Sequence, residues 1–325
     1  MKISVIICTH NPRVDYLRRT LEALEKQTYS KNNWEFILID NASEKPLASH
    51  WDLSWHPNSR HVHEAELGLT NARIRGISES KGDLLLFVDD DNILHRDYLQ
   101  RCVDIANSKP SLGCFGAGKL VPEYEVKPEK ELLPYTGFLA LRSVDKAYWS
   151  NDSADLWTPW GAGLVVTRKV AEAQYAKLKE SKMSRMLGRK GDVLTSGEDD
   201  EFSWTACEMG LGKGIFPELE VIHLIGARRI ERDYLLRLAK GSRYSRVILL
   251  SIHGQELPNY VPPPSGWRIW KYLLTLKRSK FIEEGSRWWN LRNMPPTDRE
   301  FILARSEGVK EALLLLGKHN VEREL

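Results

Sequence analysis

No stretch of the 325-residue chain approaches the ~18 consecutive apolar residues of a membrane-spanning helix. The longest apolar runs are Leu84–Val88, Val247–Leu250 and Ala312–Leu316. The opening segment Met1–Cys8 also lacks the length and the small-residue cleavage site of a signal peptide, and it reads instead as a buried strand. Cysteine is scarce. Cys8, Cys102, Cys114 and Cys207 are widely spaced, with no C-x-x-C pair, which argues against a disulfide framework or structural zinc site and makes a reducing cytoplasm the natural setting. Nor is there a large surplus of one charge: 47 Lys plus Arg against 44 Asp plus Glu gives +3, which excludes a chain built wholly around nucleic-acid phosphate. No G-x-x-x-x-G-K-[ST] loop occurs, so a P-loop is excluded, and no full G-x-G-x-x-G follows the first strand, which argues against a dinucleotide-binding fold. Internal repeats and low-complexity tracts are absent too.

What is present is an ordinary globular composition, 42% apolar and 28% charged, over a length that suggests about two domains. Strand and helix alternate through the first ninety residues. Ile3–Cys8, Phe36–Asp40 and Leu84–Val88 are apolar runs without alternation, which predicts strands covered on both faces and hence a mostly parallel sheet. A further short strand is expected near His61–His63. Between the strands, Asn11 and Pro12 are expected to start a helix whose buried face carries Val14, Leu17, Leu21 and Leu24, and a second helix should run over about Thr70–Ser80. The stretch from about 95 to 225 is more irregular, with a strand ending at Thr167, a helix over Lys169–Lys179, another beginning near Asp199 and a strand at Glu220–Ile222. From Gly226 the chain reads as helices joined at Pro262–Pro264.

Open α/β sheets bind ligands outside the carboxyl ends of their strands. Three predicted strands end there in polar residues: Thr9-His10-Asn11, Asp40-Asn41 and Asp89-Asp90-Asp91-Asn92. Each is also a natural turn sequence. Three adjacent carboxylates after a buried strand repel one another, however, and a bound hard cation such as Mg²⁺ or Mn²⁺ relieves that repulsion and bridges to phosphate. With no phosphate loop in the sequence, phosphate must be held by the metal and by side chains. Glu198-Asp199-Asp200-Glu201 fits a helix start, with Ser196 and Asp199 in capping-box spacing. His61-x-His63-Glu64 lacks the second histidine of H-E-x-x-H and reads as strand and loop.

Val5–Asn11, Ile37–Ser43, Leu67–Arg73 and Phe87–Asp91 occur in an order that resembles the donor half of a family 2 glycosyltransferase, of the bacterial polysaccharide type. The resemblance continues through Trp160–Gly163, Gly197–Glu201 and Val221–His223. It implies a GT-A fold, α/β and Rossmann-like, over 1–225, with a nucleotide-sugar half at 1–95 and an acceptor half at 96–225. By the same resemblance Thr9, Asn11 and Asp40 hold base and ribose, with Asp40 accepting the imide N–H of uracil or thymine. Arg73 lies close to the nucleotide. Asp91 is the metal ligand, Asp89 and Asp90 contact ribose or sugar, and Asp89 is a second candidate ligand. Asn41 stands where many relatives carry a second aspartate. Gly161 lies in a segment lining the donor–acceptor cleft, where glycine permits close backbone approach. Asp199 is the implied general base, Asp200 its rival, and Glu198 orients the acceptor. His223 is either a structural histidine or the residue that completes the metal shell.

The implied activity is inverting transfer from a UDP- or dTDP-linked sugar to a hydroxyl of a saccharide or lipid-linked acceptor, dependent on Mn²⁺ or Mg²⁺, in cell-surface polysaccharide assembly. Two rival readings are a sugar nucleotidyltransferase and a non-catalytic glycosyltransferase-like scaffold. The first should carry G-x-G-x-R after the first strand, where this chain has Cys8–Arg13; the second has no need of buried carboxylates.

Charge is unevenly distributed. Residues 226–325 carry 19 Lys plus Arg against 11 Asp plus Glu, so the total of +3 is −5 before Gly226 and +8 after it. Trp267, Trp270, Trp288 and Trp289 are interleaved with Arg268, Lys271, Lys277, Arg278, Lys280, Arg287 and Arg292. That pattern suits either an anionic membrane surface or a helical bundle packed on the catalytic domain with a solvated basic face. The former implies peripheral attachment at the inner face of the plasma membrane, and the helices could also join two copies into a homo-oligomer. No nucleic-acid motif is present.

Overall fold

The structure is a computed structural model that describes residues 1–185, 187–188, 194–195 and 197–317. Ten strands form one sheet: β1 (Ile3–Thr9), β2 (Trp34–Asn41), β3 (Ser59–Glu64), β4 (Leu84–Val88), β5 (Asn92–Leu94), β6 (Leu112–Tyr124), β7 (Arg142–Ser143), β8 (Tyr148–Ser150), β9 (Leu164–Thr167) and β10 (Gly212–Ile225). The main order is β3-β2-β1-β4-β9-β6-β10-β5, with β7 on β6 and β8 on β10. The first four strands are parallel, as their unbroken apolar runs require, and β6 and β10 form a second parallel pair. β9 runs antiparallel between the two sets, and β5, β7 and β8 are antiparallel additions, so the sheet is mixed.

The helices are α1 (Val14–Glu25), α2 (Leu69–Glu79), α3 (Tyr98–Ser108), α4 (Arg168–Glu180), α5 (Lys182–Arg185), α6 (Glu198–Glu208), α7 (Arg232–Ile252), α8 (Gly266–Leu274), α9 (Arg278–Asn293) and α10 (Pro296–Leu315). One buried cluster joins Leu17, Leu21 and Leu24 of α1 and Leu99 and Cys102 of α3 to Val5, Phe36 and Leu86 of the sheet. A second, on the opposite face, joins Ala72 of α2, Val170 of α4 and Phe202 of α6 to Ile6, Ile39 and Leu85. This alternation of inward residues along β1, β2 and β4 sandwiches the sheet between helices.

Two sequence expectations change at α1. Its first residue is Val14, and Arg13, not Asn11, precedes it, with no side-chain cap. Asn11 sits in the left-handed region at φ 46°, and its side-chain oxygen accepts the N–H of Glu44. Val14 is exposed because it belongs to the unburied first turn. The stretch from 95 to 225 is irregular over 125–163, as expected, but on either side of that segment it holds α3, α4, α6 and the long strands β6 and β10. Beyond Gly226 the region divides. α7 and α10 pack together and bury Leu235, Leu238 and Phe301 against Leu132, Leu139 and Ile225, whereas α8 and α9 form a hairpin and α8 has no buried residue. Residues 318–325 of this region lie outside the described residues.

Candidate active site

β1 and β4 end side by side, which brings Thr9 to the triple aspartate: the Thr9 hydroxyl donates to the Asp90 carboxylate. Burial, reinforced by Asp91, pushes the Asp90 carboxyl up to about 7. After the acids the chain turns into β5, which pairs antiparallel with β10 and sets Asn92 opposite His223. Asp91 and His223 therefore converge, with Oδ2 and Nε2 3.4 Å apart. Arg229, on the short helical turn Ala227–Ile230, reaches the same point. Its Nη1 lies 2.5 Å from Asp91 Oδ2 and 3.1 Å from His223 Nε2.

The opposite wall is built by α6. Gly197, at φ 150°, precedes the helix, a backbone conformation that side chains rarely adopt. Ser196 lies outside the described residues, and with it the expected capping box with Asp199; Gly197 directly precedes the helix. The Asp199 carboxylate instead reaches out of the helix to accept the N–H of Gly161 at 2.8 Å, which fixes its position. Gly161 must be glycine-sized here: a Cβ would stand 2.9 Å from Arg73 Nη2 and 3.6 Å from Asp199 Oδ2. Glu198 is buried beside Thr70 (3.3 Å) and Arg73 (3.4 Å). Burial raises its carboxyl while Arg73 opposes that rise.

Between these walls lies a cavity of about 210 Å³ lined by Cys8, Arg73, Asp89–Asp91, Gly161, Glu198, Asp199, His223 and Arg229. Asp200 does not line it. Asn11 and Asp40 also stand apart. Asn11 lines a second cavity of about 700 Å³ with Arg18, Ser43, Lys45, Leu47 and Trp51. Asp40 holds the turn behind that cavity by accepting the N–H groups of Ser43 and Leu47, both at 3.0 Å. Against burial, which acts to raise it, these donors keep its carboxyl below the usual range. Asn41 fastens the neighbouring loop by accepting the N–H of Gly68 and donating to the carbonyl of Glu66, each at 2.8 Å.

Sequence reasoning missed Arg229, Arg142 and Lys213. Arg142 stacks 3.4 Å over the Trp160 ring, and burial lowers it to about 10, against the pull of Asp199 and Asp200. Lys213, fully buried on β10, donates to the carbonyls of Ser153 (3.0 Å) and Asp155 (2.8 Å) and to the Thr158 hydroxyl (2.9 Å). A lysine inside a long strand is the one sequence signal that marks a buried tether, because an unpaired ammonium there is costly.

Among the described residues no group of three His, Cys, Asp or Glu side chains is arranged to hold a metal ion. Asp91 and His223 form a pair suited to Mg²⁺ or Mn²⁺, which usually keep waters and substrate phosphate oxygens in their remaining positions. The crowding that raises Asp90 is a second feature that a cation would relieve. The residues thus fit a two-ligand site, with Arg229 as the present cationic partner of Asp91.

Residues 4–145 match the sequence profile described as Glycosyl transferase family 2. Glycosyltransferase AglE of Haloferax volcanii is 31% identical over 104 residues, 31% of this chain and 34% of that protein. The chain spans about a third of the length of the curated relatives it matches. Two solved structures resemble it over 98% of its length. One is the mannosyltransferase PcManGT from Pyrobaculum calidifontis in complex with GDP-Man and Mn²⁺, with 88% of that chain covered, 16% identity and a TM-score of 0.57. The other is S. aureus TarS 1–349 in complex with UDP-GlcNAc, with 92% covered, 14% identity and a TM-score of 0.50. At these identities the likeness is one of fold, and that fold is GT-A.

Proposed function

We propose that this chain, whose residues 4–145 match the glycosyl transferase family 2 profile, transfers a sugar with inversion from a UDP- or dTDP-linked donor to a hydroxyl of a saccharide or lipid-linked acceptor in cell-surface polysaccharide assembly. The observation that carries this reading is the single cavity in which Asp89–Asp91, His223 and Arg229 face Asp199. One wall suits a diphosphate, the other an acceptor hydroxyl.

Asp199 is the base. Its carboxylate is aimed into the cavity by the Gly161 N–H and takes the acceptor proton as the hydroxyl oxygen bonds to the anomeric carbon and the bond to the diphosphate breaks. Asp91 and His223 are the residues that would hold a divalent ion, which when bound supplies positive charge to the departing diphosphate. Arg229 carries a second positive charge to the same wall, where its guanidinium would pair with a phosphate oxygen of the donor. Asp90, held by Thr9, and Asp89 line the ribose and sugar side. TarS in complex with UDP-GlcNAc supports a pyrimidine donor, and PcManGT in complex with GDP-Man and Mn²⁺ supports the metal. The pyrimidine assignment to this chain rests on Asp40 and Arg73.

The test is a donor screen by nucleotide release with and without Mn²⁺, followed by mass spectrometry of the products. Turnover of a UDP- or dTDP-sugar is expected. Turnover of GDP-sugars alone overturns the pyrimidine assignment, and diphosphate release from a nucleoside triphosphate with a sugar phosphate points to a nucleotidyltransferase. Asp199→Asn should keep donor binding and lose transfer by roughly 10²–10⁴-fold. Full transfer in that variant removes Asp199 as the base.

A further inference from the structure

The α8–α9 hairpin is built inside out. Its interior is ionic: Glu284, 4% exposed, accepts from Arg268 Nε at 2.7 Å and from Arg287 Nη1 at 2.9 Å. Both arginines also donate to the Pro262 carbonyl, at 3.1 and 2.8 Å, so the hairpin is tied at its base to the proline segment. Phe281 and Trp288 are half-buried, but most of the large apolar side chains lie outside. Trp267, Trp270 and Leu274 share one face of α8 and are 69%, 59% and 75% exposed. On α9, Ile282 and Trp289 lie two turns apart on one face, both exposed. At the tip Leu276 is 89% exposed and held at φ 55°, in the left-handed region that a leucine adopts at a cost. A hairpin stabilised in water by its own packing would place its tryptophans within.

The charge around this apolar surface has one sign. Residues 266–294 contain seven Lys plus Arg against two glutamates, a net of +5, and Glu284 is consumed by the interior seam. Lys271 lies on the same face as the α8 tryptophans, and Lys277, Arg278 and Lys280 surround the tip, all exposed. Exposed tryptophan and leucine collared by lysine and arginine complement one surface in particular: an anionic lipid bilayer, whose headgroups take the cations while the rings enter the interface. Among the described residues no helix is long and apolar enough to cross a membrane, so insertion is confined to the interface. We infer that the α8–α9 hairpin docks on an anionic membrane through Trp267, Trp270, Leu274 and Leu276. The active cavity is built without either helix, so docking holds the enzyme at the surface without reshaping the site.

The full chain, mixed with vesicles of phosphatidylglycerol and phosphatidylcholine or of phosphatidylcholine alone, is separated by flotation at low and high salt. Flotation with the anionic vesicles at low salt is expected, reduced about tenfold or more on pure phosphatidylcholine or at high salt. Trp267→Ser/Trp270→Ser and Lys277→Glu/Arg278→Glu should each reduce it similarly with unchanged thermal midpoints, because α8 and the tip contribute nothing to the core. Absence of flotation at low salt, or variants that float like the parent, overturns the inference. So does a lipid-free dimer, detected by sedimentation, that Trp267→Ser/Trp270→Ser converts to monomer, since a second copy would then be what covers this face.

Discussion

Asp199 and Asp200 are adjacent, yet their surroundings give them different roles. Asp199 lines the cavity and accepts the Gly161 N–H, whereas Asp200 is half-buried behind it. Burial and then Asp199 push the Asp200 carboxyl from 3.8 up to about 7. A carboxyl raised in this way binds its proton more tightly in the folded chain than in the unfolded one. The stability it contributes is full below the unfolded value and is lost as pH rises through the folded value. Asp200→Asn should therefore be more stable than the parent at about pH 8, with the gap closing between about pH 7 and pH 4. Thermal midpoints across that window check it, and a pH-independent gap would mean that Asp200 titrates as an ordinary aspartate. The same variant should retain transfer, which separates its role from that of Asp199. The sequence brought the acids into view because clustered carboxylates after a buried strand are unusual. It could not show Arg229, because 138 residues separate that arginine from Asp91 and only the pairing of β5 with β10 brings them together.

At the scale of elements, legibility followed apolar continuity. β1, β2 and β4 were readable because each is an unbroken apolar run covered on both faces. β6 was not readable and β10 only over Glu220–Ile222, although both are long strands: LGCFGAGKLVPEY and GKGIFPELEVIHLI are interrupted by glycine, proline and charge. Their order comes from tertiary pairing, and the charge inside β10 has a purpose that local propensity cannot express. Lys213 pairs against Ser150 of β8 and ties down Ser153, Asp155 and Thr158, the loop that leads into Trp160 and Gly161. Lys213→Met keeps the length of the side chain but leaves three acceptors without their donor. It should cost about 1–3 kcal/mol in urea unfolding, speed hydrogen exchange across residues 151–160, and raise the KM for donor or acceptor more than it lowers kcat. Unchanged exchange in that loop would show that Lys213 does not order it.

At the scale of the molecule, the boundary at residue 225 separates sequence compositions more sharply than it separates structures. Arg229, part of the cavity wall, comes from beyond it. So does Phe301 of α10, which is 1% exposed and stacks on Tyr135 at 3.6 Å between ring centroids. Tyr135 lies on the short helical turn Leu133–Leu139, which leads to Leu139 and Ala140 in the cavity wall, and its hydroxyl donates to Asp298 of α10. The C-terminal helices α7 and α10 therefore support one side of the site from behind, while α8 and α9 extend from them as a separate hairpin. Phe301→Ala should then act on the whole. Removing a fully buried ring costs about 3–5 kcal/mol, and because the Phe301 cluster reaches Ile225 at the end of β10, the loss should lower one common transition rather than release the helices alone. Denaturant melts followed in parallel by tryptophan fluorescence and far-ultraviolet circular dichroism should remain coincident. A separate early helical transition would mean that α7 and α10 fold independently of the sheet, and the support they give the cavity wall would then be dispensable.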